Sequence, residues 1–341
     1  MSDEFSSGAT EMSVNGLKCT LNMPAALKSR KGGDGHELTN GLPPYARRAA
    51  FRVAEYDPAC PESWVRGDAM EASYFVPVVA EHGLWLDFNA NLNHSHHVAV
   101  LISVQGVNPI TGRPVGDDKL EQYRKNCPVH ARKLGEERFC KACGFKWDAQ
   151  NYLAGNATPY PYFWLDGFRA EDGVVRQYVF TKETARGVAA QILGEERVFA
   201  IGIAFYLSKE PKPPAPPRPA YRGTSNTLIA ASFDYHGDIG YAGSSKRRVR
   251  SSLRASHAIG ASRVAYLASA APALEIAAGA KIDQRIYPDP EKLDFWQEEP
   301  AGRLYINYCS VELARAIIAS GKTDLTAGGE GFMKELLVGQ E

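Results

Sequence analysis

The chain has 341 residues, 44% hydrophobic and 23% charged, with 39 Lys and Arg balanced by 39 Asp and Glu. That length holds one large domain or two ordinary ones, with volume for a real core. Zero net charge removes the whole-protein electrostatic argument for a nucleic-acid or anionic-membrane partner, and no apolar run approaches the ~20 residues of a membrane helix.

Residues 1–44 are expected to form a flexible N-terminal region. Met1–Met12 is polar, acidic and Ser-rich, as a disordered tail would be, and lacks the basic start and apolar stretch of a secretory signal. A short strand is expected over Met12–Leu21. Ser29–Pro44 contains Lys-Gly-Gly-Asp-Gly and Gly-Leu-Pro-Pro, a loop composition punctuated by each glycine and proline.

A β-rich domain is expected over 45–210. Tyr74–Val76 and Val78–Val79 read as one strand bent at Pro77, and Gly83–Phe88 alternates Leu84, Leu86 and Phe88 against Trp85 and Asp87. His97–Val104 is a continuous apolar, β-branched run, the pattern of a central strand, closed by the turn sequence Val107–Gly112. Tyr162–Leu165 and Val174–Phe180 flank a polar, Gly-containing connection and predict a hairpin. Thr181 is placed to cap a helix running to Leu193, with Gly194 as its stop, and Phe199–Leu207 reads as a strand.

Pro211–Pro219 has six prolines in nine residues, a polyproline II spacer, so residues 211–224 are taken as a linker or loop. A second β-rich region is expected over 225–341. It has strands near Thr227–Tyr235, Val264–Leu267, Leu274–Ile286 and Leu304–Tyr308, then a helix capped by Ser310 and closed by Gly321. A short amphipathic piece follows at Phe332–Val338. Strands succeed one another without alternating helices. The predicted fold class is therefore α+β, β-dominated, with antiparallel sandwich-like sheets, two main helices and a zinc-knuckle or ribbon insert at about 120–150.

That insert carries the most specific motif. Cys127-Pro-Val-His130 is followed by Cys140-Lys-Ala-Cys143-Gly144, two pairs each separated by two residues. A two-residue spacer lets one tight turn aim both side chains at one ion, and three thiolates with one imidazole match the tetrahedral preference of Zn2+. Gly144 suits the positive φ a knuckle needs. Phe139, Phe145 and Trp147 supply packing that so small a module lacks. Full coordination by protein leaves no place for water, so one structural zinc is expected, held by Cys127, His130, Cys140 and Cys143. The remaining cysteines, Cys19, Cys60 and Cys309, have scattered spacing and argue for a reducing, cytoplasmic compartment.

Other constellations are less specific. His94-Ser-His96-His97 would place two imidazoles on one strand face, with Asp87 or His82 as a third ligand; polar residues of a strand turn explain it equally. Asp234-Tyr-His236-Gly-Asp238 has ligand types at a strand end but also reads as a turn. Lys246-Arg-Arg-Val-Arg250 with Arg254, in an expected mobile loop over Gly237–Ser252, could neutralise phosphates. Asp283–Pro300 sets Phe295 and Trp296 among carboxylates and prolines, in a loop suited either to partner contact or to plugging the core. Phosphate-loop, dinucleotide-fold, nucleophile-elbow and His-Glu-x-x-His motifs are absent.

These readings predict a non-enzymatic, zinc-stabilised structural or interaction protein. Its basic segment (246–254) and acidic segment (283–299) would favour self-association or a protein partner. The alternatives are a metal-dependent hydrolase with a second metal at His94/His96 or Asp234/His236, and nucleic-acid binding through the basic loop.

Overall fold

The computed structural model describes residues 5, 7–41, 46–68, 70–122, 150–157, 163–169, 174–213, 274–284 and 286–321. Apart from Pro213, these fall in a compact unit formed by residues 1–212 and 260–341; a second unit spans 213–259.

Local chemistry reshapes the first expected strand. Met12–Leu21 is a hairpin: β1 (Met12–Val14) pairs antiparallel with β2 (Leu17–Asn22), Val14 opposite Leu17. Between them Asn15 and Gly16 have φ of 50° and 82°. A two-residue loop with both central residues left-handed matches the twist of its strands, and Asn-Gly is its preferred sequence.

β3 (Phe51–Arg52), β4 (Glu71–Val78), β5 (Gly83–Asp87) and β6 (His96–Val104) follow. β6 is central, as its apolar run predicts. It pairs along one edge with β13 (Ala200–Pro211) and along the other with β7 (Val107–Asn108) and β9 (Tyr152–Ala154). β8 (Arg113–Pro114) pairs with β7. The expected hairpin after residue 160 is divided between two partners. β10 (Trp164–Leu165) joins β5, while β11 (Gly167–Arg169) joins β12 (Val175–Thr181).

The helix expected from Thr181 is shorter. Thr181 is the buried last residue of β12, and its hydroxyl accepts from the Glu183 amide at 3.1 Å. A 3-10 turn over Thr184–Arg186 and an extended Gly187 precede α1 (Val188–Leu193), which stops at Gly194 with φ 59°. Gly187 cannot continue a helix here because its backbone bridges Ala277 of β14 (Glu275–Ile282). The last elements match expectation: β15 (Gly302–Ser310) leads into α2 (Val311–Ala319), and the Ser310 hydroxyl accepts from the Leu313 amide at 3.2 Å as an N-cap.

The smaller sheet runs β1-β2-β5-β12-β11, with β10 beside β5 and β14 beside β12; the larger runs β3-β4-β15-β13-β6-β7-β8, with β9 beside β6. Among the described residues the named strands pair antiparallel except β15 with β4, and a parallel bridge joins Asn40 to Ile282 of β14, so the expected antiparallel architecture is mixed there. The proline-rich stretch does not divide these sheets. β14 and β15, which follow it, complete the smaller and the larger sheet beside strands that precede it.

Alternation along the strands turns one face of each sheet inward. Val98, Val100, Ile102 and Val104 of β6, Ile201, Ile203 and Phe205 of β13, and Leu304, Ile306 and Tyr308 of β15 meet Leu17, Leu21, Leu84, Leu86 and Phe180 in one core. The outer face of the larger sheet carries two further apolar clusters. Phe51, Tyr56, Trp64, Phe75, Cys309 and Ile317 form one, under α2. Ala99, Leu101, Tyr152, Ala204, Tyr206 and Trp296 form the other. Cys19, Cys60 and Cys309 are buried and unbridged.

A polar contact ties the two sheets together at one end. Glu275 of β14 accepts from Arg197 at 3.0 Å (Nε) and 2.9 Å (Nη2), and from Gln105 Nε2 at 2.9 Å. Gln105, in the turn after β6, returns its own Oε1 to the Ile276 amide at 3.1 Å. The Arg197 and Glu275 side chains are only 14% and 5% exposed. Removing one member of such a pair strands the other charge in a dry site. Arg197→Met is therefore expected to lower unfolding stability by about 3–5 kcal/mol. The double change Arg197→Met/Glu275→Leu should recover much of that loss; chemical denaturation of both variants checks it, and a loss below ~1 kcal/mol for the single change would refute the burial argument.

Candidate functional site

Cys127, His130, Cys140 and Cys143 lie outside the described residues, within 123–149. The two ends of that segment are described, and they meet. Gln122 forms an antiparallel bridge with Gln150. Beside it, Asn151 donates its amide to Glu121 O at 3.1 Å, while its Oδ1 accepts from the Glu121 amide at 2.8 Å and its Nδ2 reaches Lys119 O at 2.9 Å.

A buried carboxylate fastens this junction to the larger sheet. Asp289, 5% exposed, accepts at Oδ2 from the Tyr152 hydroxyl, from Trp296 Nε1 at 2.8 Å and from Gln122 Nε2 at 3.3 Å. Its Oδ1 accepts from the Glu291 amide at 2.9 Å, and its own amide donates to Gln150 Oε1 at 2.6 Å. Burial and the adjacent Asp289 carboxylate hold the Tyr152 hydroxyl well above its usual range, so it stays a donor. The loop Asp283–Pro300 is thus divided in role. Trp296 plugs the outer cluster of the sheet at 1% exposure, and Phe295 packs edge-on against it at 5.0 Å. The carboxylates at Asp283, Glu291, Asp294, Glu298 and Glu299 remain exposed, as do Lys292 and Leu293.

The histidine cluster is not drawn together as a metal centre. His94 Nδ1 accepts from the His96 amide at 3.1 Å, and His96 Nδ1 faces Ser208 O at 2.8 Å, a contact that needs the proton on that nitrogen. His82 Nδ1 faces Ala80 O at 3.2 Å, and Asp87 Oδ1 accepts from the Asn89 amide at 2.8 Å. Burial holds His94 and His97 below the usual imidazole range. Among the described residues no three His, Cys, Asp or Glu side chains gather around a common point. Asp234, His236 and Asp238 and the basic residues 246–254 lie outside the described residues.

The smaller sheet holds a feature the strand-by-strand reading missed. Trp-Leu-Asp occurs twice, at 85–87 and 164–166, and the two copies pair antiparallel around Leu86 opposite Leu165, with Trp164 opposite Asp87. The two leucines are buried in the core, so alternation sends Trp85, Asp87 and Trp164 to the outer face. The indoles meet edge to face, centroids 6.2 Å apart at 68°. Asp166 sits where the chain leaves β5 for β12. Its amide donates to Gln284 Oε1 at 3.1 Å and its carbonyl accepts from the Tyr178 amide at 2.8 Å. Its side chain is 5% exposed, and Oδ1 has no hydrogen-bond partner. The repeated tripeptide is visible in the sequence, but the pairing of its two copies is seen only in the fold.

No protein-family model, curated protein or solved structure matches this chain. Its chemistry is therefore argued from its own residues. No helix among the described residues is long and apolar enough to cross a membrane.

Asp166 gives a test by pH. Burial first, and the charge of Asp87 second, push its carboxyl up to about 8 from an ordinary 3.8. Between those values the unfolded chain has released the proton that the folded chain keeps. Stability therefore falls as pH rises, by up to about 1.4 kcal/mol per pH unit. Asp166→Asn should flatten that decline between about pH 5 and about pH 8, read from denaturation midpoints. Parallel pH profiles for the two proteins would show that Asp166 is not the group responsible.

Proposed function

We propose that this chain is a non-enzymatic interaction protein whose β-rich, sandwich-like body presents a zinc-clipped insert, with Cys127, His130, Cys140 and Cys143 holding one structural Zn2+. The observation that carries the reading is the paired base at Gln122 and Gln150, anchored through Asp289. The 123–149 segment therefore leaves and returns at one fixed point. Closing a loop at its base removes part of the entropy that a metal would otherwise have to overcome when it gathers ligands from two pairs.

Contact chemistry follows from charge. Exposed carboxylates at Asp283, Glu291, Asp294, Glu298 and Glu299 outnumber the exposed Lys292 on one loop, and the sequence between Lys246 and Arg254 is strongly basic. Opposite patches on a chain of zero net charge favour a protein partner or a second copy of the chain over nucleic acid.

Metal analysis of the purified full chain is the direct test, with about one equivalent of zinc expected. Cys140→Ser/Cys143→Ser should lose that zinc yet keep a cooperative β-type unfolding transition, since the strands of both sheets lie outside 123–149. Less than about half an equivalent in the unsubstituted protein would overturn the zinc reading. For the partner reading, light scattering at tens of micromolar should show assemblies that shrink as salt rises. A monomer at every salt concentration would exclude self-association, and a protein captured in its place should bind less tightly at high salt.

A further inference from the structure

Asn-Gly occurs twice in the sequence, at 15–16 and at 40–41, and the fold treats the two copies differently. This dipeptide carries its own reaction. The glycine amide nitrogen can attack the asparagine Cγ, because no side chain on the glycine crowds the approach. Both glycines meet that condition, since no atom lies within 4 Å of where a Cβ would stand on Gly16 or Gly41. What differs is the freedom of the asparagine.

Asn40 is locked. It is 5% exposed, its Oδ1 accepts from Arg30 Nε at 3.2 Å, and its Nδ2 donates to Lys281 O at 3.0 Å. Its amide also donates to Lys281 O, and its carbonyl accepts from the Asp283 amide, each at 3.0 Å. Ring closure there requires the side chain and the following peptide plane to rotate. The two side-chain bonds and the carbonyl bond must open first.

Asn15 is exposed, at the tip of the hairpin of β1 and β2. Its Nδ2 donates to Ala301 O at 2.8 Å and lies 3.6 Å from Met70 Sδ, a weak acceptor. Neither its carbonyl nor the Gly16 amide makes a backbone hydrogen bond among the described residues. The single strong bond to Ala301 nonetheless ties the tip of the smaller sheet to the entry of β15 in the larger. Contact there is close: a Cβ on Gly302 would stand 3.0 Å from Val14 Cγ1 and 3.5 Å from Asn15 Nδ2.

We propose that Asn15 is a selective self-modification site, which deamidates in the folded chain while Asn40 is preserved and thereby frees the hairpin tip from β15. The Gly16 nitrogen gives its proton to solvent base and bonds to Asn15 Cγ. The bond from Cγ to Nδ2 breaks, and the nitrogen takes up a proton and leaves as ammonia. Water then opens the cyclic imide at either of its carbonyls, leaving an aspartyl or isoaspartyl residue at position 15. The sum is one amide and one water giving one acid and one ammonia, with no oxidant or cofactor. Either product replaces the N–H donors by a carboxylate, which only accepts and so repels Ala301 O. The isoaspartyl form also lengthens the backbone of a turn whose register sets Val14 opposite Leu17.

Prolonged incubation of the full chain in mildly alkaline buffer, followed by peptide mapping with mass spectrometry, tests the proposal. The peptide containing Asn15 should gain the mass of an amide-to-acid exchange. The peptide containing Asn40 should do so at least about tenfold more slowly, because it reacts only after local opening. In denaturant the two should convert at similar rates, since both dipeptides are then free. Asn15→Asp keeps a residue that suits this turn and gains the carboxylate, so it should lower the denaturation midpoint. Should that variant fail to fold, the converted fraction of the unsubstituted chain, separated by ion exchange, carries the same comparison. Equal conversion of Asn15 and Asn40 in the folded chain overturns the proposal. So does a folded chain that leaves Asn15 intact, whatever the unfolded chain does. A midpoint unchanged in Asn15→Asp and in the converted fraction overturns the release of the hairpin tip.

Discussion

The contact of Arg197 and Gln105 with Glu275 is the constraint on which the two-layer arrangement depends. Apolar burial holds two sheets together but is indifferent to small sliding, because one branched side chain substitutes for the next. A buried carboxylate is not indifferent. Glu275 belongs to β14 of the smaller sheet and Gln105 to the end of β6 in the larger. Their bonds are lost on a shift of an ångström or two. The reciprocal bond from the Ile276 amide to Gln105 Oε1 fixes the turn itself, where Gln105 takes φ 53° and Gly106 φ 89°. One local turn geometry thereby sets the alignment of both layers.

The same logic recurs on the far face of the larger sheet. Asp289 gathers an indole N–H, a phenol, an amide side chain and a backbone N–H from residues far apart in sequence. The loop that carries it becomes part of the wall behind Tyr152. A fully satisfied buried network of this kind specifies one arrangement more strictly than apolar packing does. Asn22 and Asp166 of the smaller sheet are its opposite, buried with side-chain atoms that have no hydrogen-bond partner.

Much of the architecture was legible because alternation and capping are local. The β-branched run 97–104, the strand around 304–308 and the Ser310 cap each follow from residues within one turn or one pleat. The hairpin at Asn15–Gly16 is equally local, since Asn-Gly is the preferred sequence of its two-residue turn. Partner choice was not legible. Nothing near Trp164 says that β10 joins β5 while β11, two residues later, joins β12, because that division depends on which edges are free in three dimensions. The proline-rich stretch shows a related limit: composition reports local stiffness, while sheet membership is settled by long-range pairing, and β14 and β15 join strands that precede it. Asp289 looked like one more carboxylate in an acidic loop, and its burial arises from Tyr152 on β9 and from Trp296, which folds back from the same loop.

The place of β15 has a bearing on how the protein is made. It lies between β4 and β13, parallel to the first and antiparallel to the second. On the ribosome both neighbours emerge long before residue 302 does. Until then β4 and β13 each present an unpaired edge, and the larger sheet exists as two fragments. Open edges of apolar strands are templates for pairing with the wrong chain. The gap closes only when residues 302–310 have been synthesised, so translation speed and chaperone access bear on this fold most heavily while that strand is still to come.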